Sequence, residues 1–121
     1  MGGRGRILAL VSGNARLSIG DFSRLTWLSP KALRLYERKG LLLPDLVDEY
    51  TGYRYYRPSQ AERARTIALL RRVEMPLEQI GAVLDAGESR RRDLIAAYRV
   101  ETTRAHERAV ALLDGMVGGP H

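Results

Sequence analysis

Two short blocks of basic and aromatic residues carry the strongest chemical signal in this sequence. The first, residues 36–42, reads Tyr-Glu-Arg-Lys-Gly-Leu-Leu and is typical of a basic helix that ends at a glycine. The second, residues 52–56, reads Gly-Tyr-Arg-Tyr-Tyr and is typical of a hairpin arm. Arginine and tyrosine side chains donate hydrogen bonds to phosphates, and a basic helix fits the major groove of a duplex. Together the two blocks predict a winged DNA-binding domain.

The composition favours a polyanionic partner and opposes several other chemistries. The chain has 121 residues, a formal net charge of +6 and a pI of about 10.2. It contains no cysteine and only two histidines, His106 and His121, so we expect no metal and no cofactor. No nucleophile–base pair or phosphate-binding loop is recognisable, so we expect no enzyme. No apolar stretch reaches the 18 residues that a membrane-spanning helix needs.

Capping signals predict two short helices joined by a tight turn. Ser18 and Asp21 match a capping box at the start of the first helix. Ser29 followed by proline is typical of the start of the second helix, which ends at Gly40. This arrangement is a helix-turn-helix. We expect Trp27, in the turn, to anchor the turn over the small core.

The remaining segments complete a mostly α fold with a small β-hairpin. Residues 46–47 and 53–56 have strand character, and residues 48–52 between them are rich in turn formers. Two further helices are predicted, one starting at Pro58 and one over 77–86. We divide the chain into a disordered leader (1–16), a winged helix-turn-helix domain (17–87), a coiled-coil helix (88–117) and a tail (118–121).

The last long segment carries an apolar seam with alternating steps of three and four residues. Such a seam predicts a dimerisation coiled coil about three heptads long. The alternative is a long helix packed on its own domain, which offers little surface to cover so long a stripe. The predicted seam residues are Ile95, Tyr98, Thr102, Ala105, Ala109, Leu112 and Met116.

Several of these blocks resemble the MerR family of bacterial transcription regulators. They are residues 17–22, 29–37, 40–44 and 51–56, together with 70–72 and 75–80. Residues 31–34 and 45–48 are most similar to the multidrug-sensing branch. The resemblance implies a winged helix-turn-helix and a homodimer made through an antiparallel coiled coil. It also implies double-stranded promoter DNA as partner, bent and twisted so that RNA polymerase can engage both promoter elements.

The resemblance places the DNA contacts on the second helix and on the wing. The predicted DNA-binding residues are Ser18, Ser29, Lys31, Arg34, Leu35, Arg38, Tyr53, Arg54 and Tyr55. For Arg34 the alternative is a solvated helix charge. Arg38 can instead pair with Glu37 or Asp21, and the tyrosines can serve only strand packing. Side-chain alternation puts Tyr53 and Tyr55 on one face and Tyr56 on the other, so we expect Tyr56 in the core.

Three features depart from the family pattern. Leu35 stands where a tyrosine that touches DNA is usual, and Glu74 stands where a glycine is common before the fourth helix. Family members also carry a sensor region after the coiled coil. Here only residues 118–121 follow it, so the sequence does not reveal the effector: the chain is either a fragment of a longer regulator or a short member controlled by abundance or partners.

Two other functions remain open from the sequence. The coiled coil can recruit a protein, with DNA binding incidental, and this interaction module is the main alternative. RNA binding is less favoured, because the wing lacks an exposed aromatic platform. For a DNA-binding regulator we expect a location in the bacterial cytoplasm, associated with the nucleoid.

Overall fold

The computed structural model of the protein describes residues 15–118. Its elements are β1 (Leu17–Ser18), α1 (Ile19–Thr26), α2 (Pro30–Arg38), β2 (Leu46–Val47), β3 (Arg54–Tyr56), a 3-10 turn (Pro58–Gln60), α3 (Ala61–Arg72), α4 (Leu77–Asp85) and α5 (Glu88–Gly118). The predicted fold class, mostly α with a small β element and a long C-terminal helix, is confirmed. Residues 1–14 of the predicted leader and 119–121 of the predicted tail lie outside the described residues.

The described chain forms two compact units, with a boundary inside α4. The first unit ends at Ile80 and the second begins at Gly81. The first contains the helix-turn-helix, the sheet and α3. The second consists of the end of α4 and all of α5.

A stacked aromatic pair lies at the centre of the first unit. The rings of Phe22 on α1 and Tyr56 on β3 are 4.4 Å apart and within 6° of parallel, and both side chains are fully buried. The pair joins the helix-turn-helix to the sheet, since offset aromatic stacking adds to the hydrophobic gain of burial. The prediction that Tyr56 belongs to the core is confirmed. Around the pair lie Leu17, Leu28, Leu33, Tyr36, Leu41, Leu42, Ala61, Ala64, Ile67, Met75 and Ile80.

The sheet has three strands where the sequence predicted a two-stranded hairpin. β3 lies in the middle, with β1 and β2 antiparallel on either side. Leu17 pairs with Tyr56, and Leu46 pairs with Tyr55. Beside β1, Arg16 forms an ion pair with Asp45, although the predicted leader includes this residue. A two-residue strand gives no alternation pattern, which is why the sequence did not reveal β1.

Two bulky or charged residues occupy left-handed backbone positions. Trp27, the C-cap of α1, has φ 68°, and Glu74, between α3 and α4, has φ 61°. Glycine takes this conformation without the Cβ clash that other residues meet. Glu74 takes this conformation at the position where the resembled family commonly has a glycine, at some cost in backbone strain.

The prediction for Trp27 is wrong. Its side chain is 90% exposed, while Thr26 and Leu28 on either side are buried and close the core at this turn. The Thr26 hydroxyl donates to the Phe22 carbonyl oxygen at 2.8 Å and accepts from the Leu28 amide at 3.4 Å. Thr26 therefore stabilises the turn, and the Trp27 side chain points away from it.

The second unit is dominated by α5, a helix of 31 residues that is roughly 46 Å long at 1.5 Å per residue. The Arg91 side chain donates to the carbonyl oxygens of Val83 and Leu84, so it caps the end of α4. No residue of α5 is buried in the single chain. Within residues 15–118, no helix has the length and apolar character needed to cross a membrane.

The buried hydroxyl of Tyr56 gives the first prediction. It has no hydrogen-bond partner among the described residues, and such a group lowers stability. We expect Tyr56→Phe to raise the free energy of unfolding by about 1 kcal/mol in urea titrations. Tyr50→Phe, at an exposed ring, is the matched control. A lower stability for Tyr56→Phe would contradict the absence of a partner.

The same prediction has a pH dependence. Burial raises the pKa of Tyr56 above its usual 10.0, so the folded state keeps this proton longer than the unfolded state. The stability linked to Tyr56 is present below pH 10 and is lost as pH rises further. Tyr56→Phe should therefore lose less stability than the natural chain above that pH.

Candidate nucleic-acid interface

Helix α2 presents a basic face because its apolar residues fix its orientation. Leu33 and Tyr36 are buried, which leaves Lys31, Arg34 and Arg38 exposed on the other side. The Ser29 hydroxyl accepts a hydrogen bond from the Ala32 amide at 3.0 Å and starts the helix. The positive end of the helix dipole is therefore exposed together with the basic side chains.

The turn of the wing is closed by one carboxylate. Asp48 Oδ1 accepts from the backbone amides of Tyr50 and Thr51 at 2.8 and 2.9 Å. These two bonds hold the pKa of Asp48 below its usual value. Gly52 completes the turn with φ 74°, a value that favours glycine. The order in this turn fixes the residues that follow it, including Tyr53 at the base of β3.

An ion pair joins the wing to α2. Arg54 Nε donates to Glu37 Oε1 at 2.5 Å, and Arg54 Nη1 donates to the Gly52 carbonyl oxygen at 3.3 Å. Both charged side chains are largely shielded from solvent. The hydrogen bond to the Glu37 carboxylate raises the pKa of Arg54 above its already high usual value, so the guanidinium stays charged. We call this contact the helix–wing brace.

The brace lies beside a cleft in which five of the nine predicted DNA-binding residues meet. The cleft has a volume of about 270 Å³, and its walls come from the start of α1, from α2 and from the wing. The five predicted residues in its lining are Ser18, Arg34, Tyr53, Arg54 and Tyr55. The other four lie outside the lining of this cleft: Ser29 is the N-cap of α2, and Lys31, Leu35 and Arg38 lie on α2.

The basic residues of α2 differ from Arg54 in their bonding. Among residues 15–118, neither Arg34 nor Arg38 forms a hydrogen bond or ion pair. The alternative in which Arg38 pairs with Glu37 or Asp21 is wrong, because Glu37 bonds Arg54 and Asp21 bonds Arg24. Arg34 and Arg38 are thus available to an external anion, whereas Arg54 is already engaged by Glu37.

Sequence reasoning missed the residues that hold the parts of this surface in place. It treated Glu37 only as a candidate partner of Arg38. The Gln60 side chain donates to the Leu43 carbonyl oxygen at 2.6 Å, and Arg63 donates to the Leu41 carbonyl oxygen at 2.7 Å. These bonds fix the chain between α2 and β2. Only the opposite charges of Glu37 and Arg54 were a visible signal in the sequence.

The predicted dimerisation seam lies along α5. Leu112 and Met116 are about three quarters exposed in the single chain, and Ile95 is roughly half exposed. Tyr98 is half-buried, and the smaller seam residues are exposed. A seam with this exposure in one chain is available to a second helix, and its dimerisation role remains a prediction.

Residues 17–87 match the MerR HTH family regulatory protein model, and the chain belongs to this family. It is 44% identical over 64 residues to the transcriptional regulator BrlR of Pseudomonas aeruginosa. It is 41% identical over 68 residues to the multidrug-efflux transporter 1 regulator of Bacillus subtilis. These alignments cover 53% and 56% of this chain but only 24% of each relative, so the chain matches about a quarter of their length.

A solved structure supports the fold. The cryo-EM structure of the EcmrR–DNA complex in EcmrR-RPo superposes with a TM-score of 0.70 and 24% identity. The alignment covers 84% of this chain and 37% of that one. Both the family and the winged helix-turn-helix fold predicted from the sequence are confirmed.

The helix–wing brace gives the second prediction. Glu37→Gln keeps the shape of the side chain and removes its charge, so the contact with Arg54 weakens. We expect a loss of about 1 kcal/mol in the free energy of unfolding. Hydrogen exchange should quicken at the Asp48 and Gly52 amides of the wing and stay unchanged in the middle of α3.

Glu62→Gln, on the exposed face of α3, is the matched control for this experiment. Unchanged protection of the wing amides in Glu37→Gln would show that the hairpin is held without the ion pair.

Proposed function

We propose that this chain is a transcriptional regulator that binds promoter DNA as a homodimer and bends and twists it to control initiation. One observation carries the proposal: Arg34 of α2 and the wing tyrosines Tyr53 and Tyr55 line the same cleft, beside the brace. With α2 and the wing held together in this way, α2 fits the major groove of a DNA duplex and the wing lies on the phosphate backbone beside it.

The bonding of each side chain supports a division of roles. Arg34, exposed and without a partner among the described residues, is proposed to contact a guanine edge or a phosphate. Lys31 and Ser29 lie at the positive end of α2 and suit a phosphate. Arg38 extends this contact, and half-buried Leu35 offers an apolar one. On the wing, Tyr53 and Tyr55 are proposed to donate to phosphates, as is the exposed Ser18 hydroxyl.

The proposed role of Arg54 changes from that predicted by the sequence. Its guanidinium has donors to spare, but Glu37 and Gly52 already orient it. We assign Arg54 chiefly to positioning the wing. A contact with phosphate is secondary, because a paired arginine has less net charge to offer.

A homodimer is proposed because one DNA-binding domain alone gives too little sequence specificity. A single module contacts few base pairs, and specificity within a genome needs two modules at a fixed spacing. The seam of α5 is proposed to supply that spacing. The structural relative EcmrR is described in complex with DNA, which supports the same class of partner here. RNA polymerase is then an indirect partner at the promoter.

The proposed partner also bears on enzymatic activity and location. The relatives are named as regulators, and we propose that this chain is likewise not an enzyme. Among the described residues, no group of three or more histidine or carboxylate side chains is placed to hold a metal ion. A bacterial cytoplasmic location, on the nucleoid, follows from the proposed DNA partner.

The interaction module is the second candidate, supported by the exposed apolar residues of α5. In that case α5 binds another protein and the basic surface binds polyanions without sequence preference. A DNA-competition experiment separates the two functions. Only a sequence-specific regulator stays bound to its promoter DNA when unrelated duplex is added in excess.

Arg34 gives the third prediction. In gel-shift titrations with the promoter next to its own gene, Arg34→Ala should weaken specific binding about tenfold or more. The control Arg104→Ala removes the same charge from exposed α5 and should change affinity little. Equal affinity of the Arg34→Ala and natural proteins would reject the proposed contact.

The seam gives the fourth prediction. Leu112→Asp places a charge within the proposed helix pair, so sedimentation velocity should show monomers and specific promoter binding should be lost. Ala111→Asp introduces the same charge one residue away, outside the seam, and should leave the dimer intact. A dimer that persists in the Leu112→Asp variant would refute the role of the seam.

A further inference from the structure

His106 is the only histidine among the described residues, and it lies beside the proposed dimer seam. It directly follows the seam residue Ala105 on α5, and its side chain is exposed in the single chain. Histidine is the side chain whose charge changes between about pH 5 and pH 8. In a helix pair, the effect of that charge depends on which residue of the second α5 lies opposite His106.

The sizes of the seam residues favour an antiparallel pair. In a parallel pair each seam residue faces its own copy, so Tyr98 meets a second tyrosine while each alanine of the seam meets an alanine. In an antiparallel pair with Ile95 opposite Leu112 of the partner subunit, large residues face small ones. Tyr98 then faces Ala109 of the partner subunit, and the two central layers each pair a threonine with an alanine. Layers of similar size let the two helices stay at one distance along the seam.

The charges beside the seam select this register. Glu101 and Arg108 lie on one flank of the seam, one heptad apart, with 3.5 Å between Glu101 Oε1 and Arg108 Nη2 in the single chain. When Ile95 faces Leu112 of the partner subunit, each Glu101 also lies opposite Arg108 of the partner subunit. Sliding one helix by a heptad in either direction sets Arg108 or Glu101 opposite its own copy, and like charges repel.

The same register sets His106 opposite an arginine. The second flank of the seam carries Arg99 and His106, again one heptad apart. Antiparallel pairing brings His106 opposite Arg99 of the partner subunit, and the two-fold symmetry of a homodimer repeats this contact. A protonated imidazole would therefore face a guanidinium at two places in each dimer.

The other groups around His106 do not neutralise this arginine. Glu107 follows His106 in the chain, but its side chain points about 100° further round the helix. Arg91, which bonds the end of α4, is about four turns away from His106. The residues one turn before and after His106 on α5 are uncharged: Thr102, Thr103, Ala109 and Val110.

We propose that acidification weakens the homodimer of this chain through repulsion between His106 and Arg99 of the partner subunit. The charged imidazole costs more in the dimer than in a single chain, so the dimer takes up this proton less readily than two separate chains. Dimerisation is therefore strongest above about pH 8 and weakens as pH falls toward about 5. This inference rests on the proposed homodimer and adds a condition that regulates it.

Sedimentation equilibrium at about pH 7.5 and about pH 5.5 measures the effect. At low ionic strength, the dimer dissociation constant of the natural chain should be about threefold or more higher at the acid pH. Salt at roughly 1 M should remove most of this difference, because it screens exposed charges. His106→Gln should lose the pH dependence, since the amide cannot gain the proton.

A charge reversal tests the direction of the effect. In Arg99→Glu, a protonated His106 faces a carboxylate of the partner subunit, so acid should strengthen the dimer of this variant. Arg104→Glu makes the same change of charge on α5 outside both flanks of the seam. This matched control should keep the acid weakening of the natural chain.

The outcomes separate this proposal from the proposed function. If the chain dimerises and binds its promoter with the same dimer constant at both pH values, the regulation is overturned and the proposed function stands. Acid weakening that persists in His106→Gln would assign the effect to other groups and overturn the proposal. A natural dimer strengthened by acid would indicate a parallel pair, in which His106 faces Glu101 of the partner subunit, and would also overturn it. A chain that stays monomeric at every concentration overturns both the homodimer and its regulation.

Discussion

The Glu37–Arg54 ion pair is the contact on which the geometry of the candidate interface depends. It connects the last turn of α2 to the central strand of the sheet, and the chain between them is otherwise a loop and a short hairpin. Because both side chains are part-buried, salt screens the pair less than it would a fully exposed pair. A carboxylate on a basic helix lowers the net attraction for DNA. In the proposed interface it orients α2 and the wing relative to each other, so a gain in specificity would offset the lost attraction.

The rest of the first unit supports this arrangement by fixing each partner of the brace. The Phe22–Tyr56 stack holds β3 against α1, and Tyr56 is two residues from Arg54. Buried Leu33 and Tyr36 fix the rotation of α2 and so the direction of Glu37. The domain accepts left-handed strain at Trp27 and Glu74, outside this central set. That strain lies in turns, where it costs stability without disturbing the contact between helix and wing.

The periodic elements were predictable, and the pairwise contacts were not. α5 was predicted over 88–117 and is found at Glu88–Gly118, because a long heptad pattern is a strong signal. The serine caps of α1 and α2 were likewise predicted and observed, since capping is local.

β1 was missed because two residues carry no period. Trp27 was expected to anchor the turn over the small core, and its left-handed φ could not be read from residue type. Glu37 was seen as a candidate partner of Arg38, since only the folded hairpin brings Arg54 to it.

A double-mutant cycle on promoter affinity tests whether the Glu37–Arg54 ion pair positions the wing for DNA binding. Glu37→Gln, Arg54→Gln and the double variant would be titrated against the promoter next to the gene by fluorescence anisotropy at one fixed salt concentration. If the ion pair acts by positioning the wing, Arg54→Gln should weaken binding markedly in the natural chain and hardly further once Glu37 is already Gln. For a positioning role we expect a coupling energy of about 1 kcal/mol or more between Glu37 and Arg54. Equal losses for Arg54→Gln in both backgrounds would contradict it, because Arg54 would then contact DNA independently of Glu37.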